Sequence, residues 1–283
     1  MLRIACCAFV WIAGFIMSSW AEIPESARQD PRFALGYLVV THYDGVKSDG
    51  TGDSTKGLQE AIDDGLKQDM TVLLPAGTYA ISDTLRCYKY QLWSAERAER
   101  FEGDEQATKK SASTPYRGNH VLIGDATARP VIKLTENAKG FDNPKDPRPL
   151  IAFRNYRAQT PAGTQPATAD NPMDVPEGFG DATANLFGEV LCNINFDCSD
   201  KPGAIGVSMP TAQASTMANV SVNAEGSYAG FYGIPGRNSL STNLEIQGGQ
   251  FGLILKGSLA GTVIAGVKLF NQTENSIEAS DFV

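Results

Sequence analysis

Four segments in the second half of the sequence repeat at nearly constant spacing, which constrains the fold more than any other feature. Asn193-Ile194-Asn195-Phe196, Asn219-Val220-Ser221-Val222, Asn243-Leu244-Glu245-Ile246 and Gly266-Val267-Lys268-Leu269 start 26, 24 and 23 residues apart. A second register, Gly206-Val207, Gly230-Phe231, Gly252-Leu253 and Ser276-Ile277, advances in step by 24, 22 and 24 residues. Two short alternating strands per repeat, with turns between them and no helical spacing, define a β-solenoid. The L-x-x-L-x-L-x-x-N pattern of a leucine-rich repeat is absent. A sandwich would supply short strands but would not hold two registers in step over four repeats.

Alternation assigns the faces. Ile194, Val220, Leu244 and Val267 form one inward column and Phe196, Val222, Ile246 and Leu269 the next. Asn195, Ser221, Glu245 and Lys268 then stack outward, about 4.8 Å apart per turn. The asparagines at 193, 219 and 243 are expected to stack their amides at a corner, a structural role.

The front of the chain is punctuated differently. A turn-rich stretch from Tyr43 to Gly52 leads to the capping residues Asp53, Ser54 and Thr55. Leu58, Ala61, Ile62 and Leu66 then recur at helical spacing and predict a short amphipathic helix of about three turns. Thr71 to Leu74 reads as a buried strand, Pro75-Ala76-Gly77 as a turn, and Thr78 to Leu85 as a second strand. Asp49 and Asp53 do not follow the D-x-[DN]-x-[DN]-G-x5-E spacing of a calcium loop, and turn formation with capping accounts for both.

Before this unit, Arg3 precedes an apolar run from Ile4 to Met17, and Ser19 and Ala21 suit a signal-peptidase site. Residues 1–21 are therefore read as a signal peptide and 22–36 as an N-terminal lead. Export to the periplasm or the exterior follows, with no membrane contact after cleavage. The full chain carries 24 Lys and Arg against 32 Asp and Glu, a net charge of −8. That balance argues against a nucleic-acid partner. The 42% hydrophobic content argues against disorder. With two histidines, and three cysteines (Cys87, Cys192, Cys198) beyond the signal, no metal site or cofactor is expected. Three is an odd number, so at least one thiol is free or pairs elsewhere.

The stretch Tyr43-Asp44-Gly45-Val46-Lys47-Ser48-Asp49-Gly50 through Asp53-Ser54-Thr55, the helix after it, and Val72-Leu73-Leu74-Pro75-Ala76-Gly77-Thr78-Tyr79 resemble the N-terminal module of the pectate-lyase-like superfamily. The resemblance spans about residues 37–283. It implies an all-β chain, a right-handed parallel β-helix with a short N-terminal capping helix. The cap departs from the usual motif at Val46, Ser48 and Ser54, with Asp44 inserted. More narrowly, Val121 to Asp125, Arg129 to Leu134, Ala212 to Thr216 and Ile246 to Gly249 look like glycoside hydrolase family 55, exo-acting β-1,3-glucanases built of two tandem β-helices.

That narrower likeness implies a role for Gln213 in positioning the attacking water; from the residues alone it reads as a corner amide bonding the backbone. The family's general acid is a glutamate of a much later turn, beyond residue 283. Glycoside hydrolysis needs two carboxyl groups, about 5–5.5 Å apart for retention or about 6.5–9.5 Å for inversion. The outward columns offer Asp197 and Glu245, two turns apart and offset along the strand. Glu245 is the catalytic candidate, although an ion pair with Lys268 is the simpler reading. Tyr232 points outward beside the inward Phe231 and is the candidate sugar platform.

Ser94 to Asn119 and Arg157 to Thr183 break the spacing and read as insertions that wall a groove or as solvated excursions. The segment Glu278 to Val283 stops within a turn, so a longer chain, with a second β-helix as partner, is expected. The expected function is action on a polysaccharide, with hydrolysis of a β-1,3-glucan-like polymer first. Elimination by a superfamily lyase and non-catalytic binding by a tailspike-like adhesin are the alternatives.

Overall fold

The structure, a computed structural model, describes residues 23–93, 112–113, 118–158, 173–175, 179–255 and 261–279. The expected signal peptide lies outside the described residues, as do most of the two irregular stretches and residues 280–283.

Three parallel strand stacks wind around one core, so the chain is a parallel β-helix. The first stack runs Tyr37–Val39, Thr71–Leu74, Val121–Gly124 and Val190–Cys192. It continues through the front halves of the long strands Thr216–Ala224, Leu240–Gly248 and Val263–Phe270. The second runs Thr78–Ile81, Val131–Leu134 and Asn195–Asp197, then the back halves of the same long strands. The third runs Leu85–Trp93, Arg148–Ala158, Ala204–Ser208, Ala229–Tyr232, Phe251–Ile254 and Asn275–Glu278.

Both sequence registers are reproduced. Asn195, Ser221, Glu245 and Lys268 pair in turn across neighbouring strands, and Ile205, Ala229 and Phe251 do so in the third sheet. Ile194, Val220, Leu244, Phe196, Val222 and Ile246 are all buried, each burial contributing about 1.5–3 kcal/mol. The glycine column has a packing cause. A Cβ at Gly206 would sit 2.4 Å from Val222, and one at Gly230 2.4 Å from Ile246. Only glycine lets the third sheet approach the second this closely.

The corner between the first and second sheets is made by Asn193, Asn219 and Asn243, with φ of 58°, 55° and 50°. Asparagine tolerates this left-handed bend better than other residues bearing a Cβ. Its amide then closes the predicted stack: Asn219 Nδ2 donates to Asn193 Oδ1 at 2.8 Å and Asn243 Nδ2 to Asn219 Oδ1 at 3.0 Å. Gly266 takes the same corner in the next turn, with φ of 65°.

The N-terminal helix covers Thr55–Gln68, closer to four turns than the three expected, and buries Leu58, Ala61, Ile62 and Leu66 against the first turns. Ser54 does not cap it with its side chain; its hydroxyl instead accepts from Lys47 N at 3.0 Å. Asp53 Oδ1 takes the Thr55 amide at 2.9 Å, and Asp49 Oδ1 takes the Thr51 amide at 2.9 Å and hydroxyl at 2.7 Å. The expected strand Thr78 to Leu85 is two strands, Thr78–Ile81 and Leu85–Trp93. The chain must turn at Ser82 to Thr84 to pass from the second sheet to the third. Ahead of the solenoid, a short helix at Glu25–Gln29 is tied down by Asp30, whose Oδ2 meets His42 Nε2 at 2.8 Å. Cys87, Cys192 and Cys198 are all free thiols.

Candidate functional site

The third sheet differs from the other two in what leaves it. Its two longest strands, Leu85–Trp93 and Arg148–Ala158, lead directly into the two irregular stretches. Each stretch sends a short strand back antiparallel to the one it left: Ala112–Ser113 pairs with Leu92 and Trp93, and Phe179–Asp181 with Tyr156 to Ala158. Extra chain is thus concentrated along one edge of one sheet.

The outer face beside that edge is aromatic. Leu85 and Cys87 point into the core, so Arg86, Tyr88 and Tyr90 alternate outward. Tyr90 stacks on Tyr156 of the next turn with ring centres 5.7 Å apart at 30°, and Tyr88 meets Tyr156 edge-on at 5.6 Å. Tyr156 donates its hydroxyl to Asp174 O at 3.1 Å, and Arg154 reaches Ser208 Oγ at 3.1 Å and Met173 Sδ at 2.9 Å. Part of the second insertion therefore lies across this face. Burial pushes the Tyr156 phenol up to about 12 and raises those of Tyr88 and Tyr90 as well. At neutral pH these phenols are uncharged and not bases; Tyr88 and Tyr90 are half-buried, whereas Tyr156 is 1% exposed and lies fully covered behind them.

Tyr232 joins the same face. It stands in register with Arg86, Ala152 and Ser208 on one side and with Ile254 and Glu278 on the other. It is half-buried, while Phe231 is fully inside. Tyr228 packs edge-on against Phe251 at 5.4 Å. The sequence reading singled out Tyr232 but missed Tyr88, Tyr90 and Tyr156. The period-2 alternation Arg86, Tyr88, Tyr90 was the available signal, and it lies outside the repeats that drew attention.

Behind the platform, at the corner between the third and first sheets, sits a buried ion cluster that the sequence did not reveal. Glu189 is fully buried and receives Lys89 Nζ at 2.5 Å on one oxygen, with the His120 amide and Nδ1, each at 2.8 Å, on the other. Lys89 also donates to Asn119 Oδ1 at 2.8 Å. Burial raises the Glu189 carboxyl, but His120 and Lys89 beside it outweigh burial and hold it below its ordinary value. The same corner continues through Ser215, which accepts from the Glu189 amide at 3.2 Å, and Ser239, which accepts from the Ser215 amide at 3.1 Å.

Gln213 lies on this corner, between Ala204–Ser208 and Thr216–Ala224. Its backbone carbonyl accepts from Gly188 N at 3.1 Å, and its side-chain oxygen is buried with no hydrogen-bond partner. Glu245 is elsewhere, on the outer face of the second sheet. It pairs with Lys268 at 3.5 Å, both side chains more than half exposed. Asp197 is two turns and two residues from Glu245, roughly 11–12 Å by strand geometry, beyond either glycosidase spacing. Its Oδ1 accepts from Ser199 Oγ at 2.7 Å and Asn223 Nδ2 at 3.1 Å. Glu245 is thus separated from Gln213 and Tyr232 by the width of the solenoid. No cluster of three metal-ligating side chains occurs among the described residues. No helix among them is long and apolar enough to cross a membrane.

These features define a class: a parallel β-helix with one sheet elaborated by insertions and faced with aromatic side chains. The rhamnogalacturonase A/epimerase, pectate lyase-like family model matches residues 39–278, and the chain belongs to that family. No curated protein matches significantly. Among solved structures, an iota-carrageenase complexed to iota-carrageenan fragments aligns over 83% of this chain at 13% identity, with a TM-score of 0.40. The chain spans 40% of that enzyme's length. The A-module of a mannuronan C-5 epimerase from Azotobacter vinelandii aligns over 86% of this chain and 74% of its own length, at 13% identity and a TM-score of 0.31.

Proposed function

We propose that this protein acts on a polysaccharide that lies across the outer face of the third sheet. The observation that carries the reading is the half-buried pair Tyr88 and Tyr90, backed by the fully buried Tyr156, at the edge where both insertions leave the solenoid. Rings offer flat apolar faces to pyranose C–H surfaces, while hydroxyls and arginines beside them bond sugar oxygens. Family membership over residues 39–278 supports the same reading.

The finer proposal is hydrolysis of a neutral, β-1,3-glucan-like polymer by an exported protein. In it Tyr232 extends the platform, and Gln213 orients water at the adjoining corner, its unpartnered side-chain oxygen matching that task. Glu245 has no part in the chemistry, because it faces away from both. Elimination from a uronate is the second reading, favoured by the half-buried Arg86 beside Tyr88, whose guanidinium is held by Asp83.

Product analysis separates the readings. Incubation with β-1,3-glucan and with uronate polymers should release reducing ends without ultraviolet absorbance if the bond is hydrolysed. Unsaturated, absorbing products would replace hydrolysis with elimination. Binding without products would leave a carbohydrate-binding module, and neither products nor binding would sink the polysaccharide reading.

A further inference from the structure

The outer face of the second sheet carries its own strip of recognition chemistry. Two depressions of about 410 Å³ and 310 Å³ lie on it, the first bordered by Arg129, Asn219, Glu245 and Lys268, the second by Lys133, Asp197, Ser199 and Lys201. Between them run two polar columns, each with its first two members joined by a hydrogen bond. Ser221 Oγ donates to Asn195 Oδ1 at 2.7 Å, and Asn223 Nδ2 donates to Asp197 Oδ1 at 3.1 Å. Locked side chains lose little rotamer entropy when a ligand arrives.

Both borders are fixed as well. Arg129 Nη1 is anchored on Asn219 O at 3.0 Å, and Lys201 on Asp142 and the Glu136 carbonyl, each at 3.2 Å. The column Asp197, Asn223, Gln247 continues on Phe270, which stands in register with Gln247 and is 43% exposed. An outward ring in line with a row of amides and carboxylates is the arrangement that suits a sugar chain: stacking at one rung, hydroxyl recognition along the others. The rise per turn, about 4.8 Å, is close to the length of a pyranose unit, so a glycan parallel to the solenoid axis meets one rung per sugar.

We propose that this strip is a second saccharide-binding site, distinct from the third-sheet face, for a neutral glycan lying along the axis. The charge balance favours a neutral ligand. Lys268 is paired with Glu245 and Lys201 with Asp142. Arg129 and Lys133, the other cations bordering the depressions, are outnumbered by the carboxylates of Glu136, Asp197 and Asp200. Asp197 stands one rung from Lys133 and repels a uronate there. Glu245 is here a recognition residue.

The test is titration calorimetry of the whole protein with neutral hexasaccharides of β-1,3-, β-1,4-glucan and xylan type and with hexagalacturonate, read beside product release. Phe270→Ala should weaken binding of the best neutral hexamer about tenfold, or about 1.4 kcal/mol. Asn223→Ala should weaken it several-fold. Neither variant should change the products formed at saturating polymer. Tyr88→Ala and Tyr232→Ala, on the other face, should reduce turnover while leaving strip binding in place. Wild-type affinity in both strip variants would overturn the strip without touching the third-sheet reading. Absence of binding to any neutral hexamer, or preference for hexagalacturonate, would overturn the strip and with it the neutral-glucan form of that reading. Loss of turnover in the strip variants at saturating polymer would also overturn it, by making the strip part of the reaction site.

Discussion

Two corners of the same solenoid solve the same problem by opposite means. At the asparagine corner, one residue type recurs over three turns and its amides bond copy to copy, so those rungs look alike. At the corner between the third and first sheets, Lys89, His120 and Glu189 come from different turns and meet once, in the interior. The first corner is a repeat and tolerates the loss of one rung. The second is a single tripod whose members depend on one another, because a charge left alone in the interior costs several kcal/mol.

The largest test breaks the tripod. Glu189→Gln leaves the Lys89 ammonium without its countercharge and should cost about 3–5 kcal/mol, read as a lower denaturant midpoint. At the other corner, Asn219→Ala removes two amide bonds and places a β-carbon in a left-handed bend, for about 1–3 kcal/mol. Asn219→Gly, which keeps the bend but not the bonds, should lose less. If the two corners proved equally costly, the contrast between repeat and tripod would be wrong.

Acid sharpens the comparison further. The folded-state value of Glu189 lies below its unfolded one, so its contribution is complete above the unfolded value and is lost as pH falls through the folded value. Wild-type stability should therefore drop in acid more steeply than that of Glu189→Gln, whereas Asn219→Ala should follow the wild-type slope. The smallest effect is expected on the second-sheet surface. Lys268→Ala breaks an exposed pair with Glu245 and should shift the midpoint by less than about 1 kcal/mol, falling further with salt.

Legibility in the sequence followed the same divide. The asparagine stack, the inward columns and the glycine register could be read because each repeats at a fixed period and local chemistry decides each position. The break at Ser82 to Thr84 was missed because Thr78 to Leu85 alternates as one strand would, and only the need to enter a third sheet turns it. Lys89, His120 and Glu189 could not be paired from sequence, since their separations of 31 and 69 residues follow from insertion lengths rather than from the repeat. The tyrosine platform spans Tyr88 and Tyr156 for the same reason. Tyr232, inside the repeat, was legible as an outward residue, and Glu245 as Lys268's partner.

The strand stacking has a consequence for how the molecule bears load. Each turn bonds only to the turn before and the turn after it, through rows of parallel backbone bonds directed along the axis. Tension along the axis loads those rows directly and peels the coil one turn at a time. Tension across the axis must shear many rungs at once. A polymer lying along the axis thus pulls on the solenoid in its weaker direction, and one lying across it in its stiffer one.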